Sequence, residues 1–216
     1  KTSDEYSVLV RELLLSAEIK PSSITGAIIA SVVPPVQPLI ERMIEKLFNI
    51  APLIVEPGIK TGIVISAENP KEVGADLISM AVAALEYYPP PPLIVVSFGT
   101  ATVLFPISKK REFLGAAIAP GVLTASESLF QRAAKLPAIE LSKPPSVIGK
   151  DTITSMQSGI IYGFAGLVDR LVEKMKEELG NKVVNVIATG GLLRIVTPFI
   201  SSITRIDPFL SLKGLR

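Results

Sequence analysis

Across residues 36–48 the apolar positions are Val36, Leu39, Ile40, Met43, Ile44, Leu47 and Phe48. This i, i+3, i+4, i+7 spacing marks one face of an amphipathic helix. Upstream, Thr2 and Glu5 have capping-box spacing ahead of an apolar stretch at 8–17, which predicts a first helix. Pro21-Ser22-Ser23 turns the chain, and 26–33 reads as a buried strand stopped by Pro34-Pro35. A short strand follows at 51–55. Residues 57–69, with two glycines, read as a loop, and a helix is expected over about 70–88. Four prolines at 89–92 break it and predict a stiff extended linker.

The second half continues the alternation. Residues 93–99 form an apolar run suited to a strand buried on both faces. Strands at 103–107 and 112–118 are expected to form an antiparallel hairpin through the basic turn Lys109-Lys110-Arg111. Helices follow near 122–135 and 153–179. A strand at 183–189 ends in Gly190-Gly191; a short helix, a strand near 202–206 and a tail close the chain. The pattern predicts an α/β fold with a mixed sheet and helices on both faces. The first half shows helix–strand–helix–strand–helix without an opening hairpin. If the halves are duplicates, the first lacks its beginning.

Composition narrows the chemistry. The chain has 216 residues, 48% hydrophobic and 19% charged, enough for a substantial core in one large or two small domains. No apolar run approaches a membrane span of roughly 18 residues. A net charge of +2 gives no argument for nucleic acid. With no Cys there is no disulfide or thiolate chemistry, a composition compatible with a cytoplasmic setting. With no His, Ser-His-Asp and Cys-His catalysis are excluded. Carboxylates, hydroxyls, Lys, Arg and backbone dipoles remain. Phosphoryl transfer suits that inventory, because it depends mainly on positioning and charge neutralisation.

One segment fits such chemistry. At 93–102, L-I-V-V-S-F-G-T-A-T, a buried strand runs into Gly99, Thr100, Ala101 and Thr102. Gly99 permits close approach of an anion, and hydroxyls and backbone N–H groups follow at once. Gly and Thr are also common at plain strand ends. Likewise, Asp76 by itself reads as a surface carboxylate on a helix, and Gly190-Gly191 as a plain turn. Gly159 and Gly163 are spaced for close helix packing, and the apolar residues around them read as core.

Nine short motifs occur in order: S-V-V-P-P at 31–35, P-G-I-K-T-G at 57–62, G-A-D at 74–76, F-G-T-A-T at 98–102, A-P-G at 119–121, L-F-Q-R-A-A-K-L-P at 129–137, I-G-K-D-T at 148–152, M-Q-S-G at 156–159 and A-T-G-G at 188–191. Together they make the chain resemble the type III pantothenate kinases along essentially its whole length. The resemblance implies the acetate and sugar kinase/actin fold: two ribonuclease H-like halves, here residues 1–91 and 92–216, with ATP between them. It implies ATP- and Mg2+-dependent phosphorylation of pantothenate, the first step towards coenzyme A, by a cytoplasmic homodimer with no nucleic acid or membrane partner. By this resemblance Asp76 is the proton acceptor for the pantothenate hydroxyl, and Gly74, Ala75 and Leu77 are its substrate-binding neighbours. Gly99 and Thr100 belong to the ATP phosphate turn, Gly190 and Gly191 to the adenosine side. Thr152 is a substrate-binding residue supplied by the partner.

The sequence also departs from the family. Nothing in it corresponds to the D-x-G-N-T phosphate turn of the opening hairpin, so the first half is expected to lack its opening strands. Leu77 stands where the family has Arg, Ser97 where it has the acid that seats a monovalent cation (K+ or NH4+), and Ala67 where it often has Tyr. These changes predict weak pantothenate turnover. The alternative function is a weak or inactive homologue acting as a nucleotide-binding regulatory or accessory protein.

Overall fold

The computed structural model describes all 216 residues. Helix α1 (Ser3–Ser16) begins as the sequence predicts: the Thr2 hydroxyl accepts from the Glu5 N–H at 3.2 Å, and the Glu5 carboxylate accepts from the Thr2 N–H. Helix α2 (Gln37–Phe48) buries Met43 and Ile44 and ends at Asn49, which takes a left-handed conformation with φ 57°. Tyr6 and Val10 of α1 pack with these residues and Ile29 in a small core. Beneath lies a two-stranded parallel sheet of β1 (Ile28–Ile29) and β2 (Leu53–Ile54). The expected strand at 26–33 is thus only two residues long, because its flanks have no partner strand. No residue of α1 is buried, and Val8, Leu13 and Leu15 are exposed.

The larger sheet holds seven strands. Its centre is β4 (Leu93–Phe98), antiparallel to β5 (Ala101–Ile107) on one side and parallel to β8 (Asn185–Gly190) on the other. Beyond β8 lies β9 (Arg205–Ile206), parallel to it. The outer edge of β5 carries β7 (Ala117–Pro120) and β6 (Glu112–Phe113), and β6 in turn pairs with β3 (Val64–Ile65). Two expectations change here. The single strand expected at 112–118 is split by Gly115, whose φ of +128° turns the chain between β6 and β7. The stretch 57–69 is not all loop, since β3 completes an edge of the sheet. The basic turn Lys109-Lys110-Arg111 is exposed.

Period-2 alternation along the strands sorts side chains to two faces. Ile94, Val96, Phe98, Leu104, Val186 and Ala188 face α5 (Thr152–Glu178), with α4 (Val122–Arg132) and α6 (Leu193–Val196) beside it. Leu93, Val95, Phe105, Ile107 and Ile187 face α3 (Ala75–Tyr87) and α7 (Leu210–Leu215). The mixed sheet covered on both faces is therefore present, and α3 crosses from the first 91 residues to pack on it. Helix α3 starts later than expected, because Val73 and Gly74 are extended after a 3-10 turn at Pro70–Glu72. The tail expected after β9 is instead α7. It packs so closely on α3 that a Cβ at residue 214 would collide with the Ser79 carbonyl, which requires Gly214. No helix is long and apolar enough to cross a membrane.

Candidate functional site

In open α/β sheets the crevice beyond the carboxyl ends of the parallel strands is the usual ligand site. Here β4 and β8 end in register, Ser97 opposite Thr189 and Phe98 opposite Gly190. Beyond them opens a cleft of about 550 Å3, lined by Asp76 and Met80 of α3, Ser97, the 189–191 turn, Leu193 and Arg194 of α6, and Pro208, Phe209 and Ser211. Asp76, Ser97, Gly190 and Gly191, singled out from the sequence, meet in this one cleft.

Each is placed by a local cause. Asp76 sits in the first turn of α3, where a carboxylate is favoured by the helix dipole. It is half-buried and forms no ion pair. Its backbone carbonyl accepts from the Ser79 hydroxyl at 2.8 Å. A Cβ at residue 74 would sit 2.5 Å from Asp76 Oδ1 and 3.0 Å from Val32, so Gly74 lets the S-V-V-P-P segment close on the start of α3. Ala75 is half-buried beside it. Gly190 has φ +109°, and a Cβ there would collide with the Phe98 backbone. Only glycine allows β8 to leave the sheet at this point.

Other motif residues lie elsewhere. Leu77 does not line the cleft; it packs against the α3 side of the sheet core, which accounts for an apolar residue at that position. Gly99 and Thr100 form the exposed β4–β5 turn next to the cleft but not among its lining residues. The Thr100 carbonyl accepts from the Gly121 N–H at 3.0 Å and the Thr124 hydroxyl at 2.9 Å, so A-P-G anchors this turn to α4. Thr102 is fully buried and its hydroxyl lacks a hydrogen-bond partner, so of the two hydroxyls read from the sequence only Thr100 reaches solvent.

Thr152 stands apart as well. It is exposed at the start of α5 and lines a separate groove of about 820 Å3 between α4 and α5. Asp151 caps α5 by accepting from the Thr154 N–H at 2.9 Å, a bond that holds its carboxyl below the usual carboxylate range. In the M-Q-S-G motif, Gln157 donates to the Glu140 carbonyl and Ser142, and Ser158 donates to the Val147 carbonyl. These residues fasten the preceding loop to the helix. Gly159 and Gly163 were expected to pack tightly on a neighbouring element. They instead face the groove, with open space where a Cβ would sit.

Sequence reasoning missed Arg194, Phe209 and the network behind Phe209. Asp207, 3% exposed, accepts from Lys213 Nζ at 2.7 Å, the Tyr88 hydroxyl at 2.9 Å and the Phe209 N–H at 3.1 Å. Burial works against its ionisation, but these donors outweigh it and hold the carboxyl below its ordinary value. Burial and the Asp207 charge push the Tyr88 hydroxyl up, and the bond to Asp207 raises Lys213. The available signal is an Asp followed six residues later by a Lys, within a segment that the sequence pattern leaves as a tail.

The cleft offers one carboxylate and no cluster of three or more acidic side chains, so there is no protein cage for a divalent metal. That donor set fits Mg2+ arriving on nucleotide phosphates, because Mg2+ keeps most of its water and needs few protein ligands. It does not fit a charged seat for a monovalent cation: Ser97 offers only a neutral hydroxyl.

A family model described as type III pantothenate kinase matches residues 1–174. Among solved structures, the chain is similar to a conserved protein assigned to the Baf family of transcriptional activators from Campylobacter jejuni. The identity is 16%, covering 95% of this chain and 84% of that one, with a TM-score of 0.59. It also matches the ethanolamine utilization protein EutJ from Carboxydothermus hydrogenoformans at 16% identity, covering 84% and 71% of the two chains with a TM-score of 0.45. An archaeal actin homologue matches at 16% identity over 63% and 51%, again with a TM-score of 0.45. At such identities the first likeness concerns the fold alone, and the other two carry no argument. The family match spans most of the chain and includes α3 with Asp76 and the β4–β5 turn. This chain therefore belongs to the type III pantothenate kinase family.

Proposed function

We propose that this chain binds ATP in the cleft beyond β4 and β8 and transfers its terminal phosphoryl group to the hydroxyl of pantothenate. The observation that carries the reading is the meeting of Asp76 with Ser97 and the Gly190-Gly191 turn in one cleft, although they are distant in sequence. In this reading Asp76 accepts the hydroxyl proton as that oxygen bonds to phosphorus and ADP leaves, and its half-buried position keeps it close to the reacting group. Thr100 lies at the neighbouring turn, within the family's phosphate motif. Bound Mg2+ would offset charge on the phosphates. The halves 1–91 and 92–216 would flank the nucleotide, with α3 carrying Asp76 from the first onto the sheet of the second.

We further propose a homodimer in which Thr152 of one copy serves the substrate site of the other. Its exposure and its place in a groove that shares no lining residue with the Asp76 cleft support this, as does the open Gly159–Gly163 stripe beside it. A second reading is favoured by Leu77 and Ser97: an inward-packed Leu cannot pair with a substrate anion, and Ser97 brings no charge. In that reading the chain binds nucleotide with little or no turnover and acts as an accessory protein. An assay of ADP release with ATP, Mg2+ and pantothenate separates the two. Pantothenate-dependent release favours the kinase; ATP binding without release favours the accessory protein.

A further inference from the structure

The cleft contains two features that the motifs do not explain, an exposed aromatic ring and an unpaired cation. Phe209 is 62% exposed and lines the cleft. Exposure of so large an apolar side chain is unfavourable, and here the backbone that presents it is rigid. Asp207, buried and held by Lys213 and Tyr88, accepts from the Phe209 N–H, while its own N–H donates to the Ala188 carbonyl at 2.8 Å. The Phe209 carbonyl in turn accepts from the Lys213 N–H at 2.9 Å. The ring thus stands on a fixed pedestal at the wall of a cleft that also includes Gly190 and Gly191. No side chain projects from that turn, and the space beside Gly191 is open.

Arg194 is the only cation lining the same cleft; it is exposed and takes part in no ion pair. A flat apolar platform and a free guanidinium within about 550 Å3 match a ligand with a flat base and an anionic chain. We propose that Phe209 and Arg194 form a subsite for a purine nucleoside triphosphate, the ring of Phe209 stacking on the base and the Arg194 guanidinium pairing with the phosphates. This rests on the proposed function and adds the residues that recognise the nucleotide.

Isothermal titration of the full chain with Mg-ATP, adenosine and inorganic tripolyphosphate tests it. Both residues are exposed, so substitution leaves the fold intact, which thermal melts verify. Phe209→Ala is expected to weaken ATP and adenosine about tenfold, the scale of one lost base stack, and to leave tripolyphosphate unchanged. Phe209→Trp is expected to keep ATP binding. Arg194→Gln is expected to weaken ATP and tripolyphosphate by about tenfold or more and to leave adenosine unchanged. That crossed pattern supports the subsite. ATP binding unaltered by both substitutions, with pantothenate turnover intact, overturns the subsite and leaves the proposed function standing. Absence of ATP binding by the unsubstituted chain overturns both.

Discussion

Replacing Asp207 by Asn preserves the side chain's size and removes its charge. An Asn oxygen still accepts from the Phe209 N–H, but its amide then faces Tyr88 and Lys213. The phenol can turn and accept; an ammonium has no lone pair. A hydrogen bond to a charged group contributes about 1.5–3 kcal/mol. The Lys213 side chain is 40% exposed and can turn to water, which places the loss near the lower end, about 2 kcal/mol. For a chain of this size that lowers Tm by about 4–8 °C. The pH dependence has a definite sign. The folded carboxyl titrates below its ordinary value, so its contribution is present above the usual Asp range and is lost as the pH falls through the folded value. The gap between the two proteins is full near pH 7 and closes below about pH 4. Circular-dichroism melts at pH 7 and pH 3 read it. Asp4→Asn is the control: its pair with Lys46 is 66–71% exposed and its loss leaves Tm unchanged. Equal melting of Asp207→Asn and the unsubstituted chain at pH 7, or a gap as wide at pH 3, would refute the argument.

Two further substitutions test the sheet that positions the cleft. Gly190→Ala places a Cβ at φ +109° against the Phe98 backbone and is expected to destabilise by about 3 kcal/mol or more, read as a fall in Tm or as insoluble protein. Phe105, fully buried with its ring 5.1 Å from that of Phe113, is expected to cost about 3–5 kcal/mol when changed to Ala, read in urea unfolding.

The legible parts of the fold are those set by local pattern. The α2 face, the Thr2–Glu5 cap and the buried runs of β4 and β8 each have a period or a pair that marks them. The missed parts depend on partners distant in sequence. Val64 and Ile65 form a strand only because Glu112 and Phe113 are there to pair with them. Residues 210–215 contain a glycine, which weakens a helix in isolation; α7 exists because Gly214 fits against Ser79. The split at Gly115 reflects a positive φ that composition does not announce. In the site, Asp76 and Gly190 are readable within motifs, and Ser97 as a departure from the family. Their convergence follows from the β4–β8 register and from the packing of α3 on the sheet, and Phe209 and Arg194 carried no motif at all. Leu77 was legible as a departure, but its inward packing depends on the sheet beneath α3.

Phosphoryl transfer in the cleft that holds Asp76 leaves a direct chemical trace. 31P NMR of the chain with ATP, Mg2+ and pantothenate, beside an Asp76→Asn variant of equal Tm, reads it. If Asp76 is the proton acceptor, a phosphomonoester signal appears slowly, requires pantothenate and falls at least about a hundredfold in the variant, the scale of a lost general base. A signal that persists unchanged in Asp76→Asn removes Asp76 from the chemistry and the cleft from the reaction.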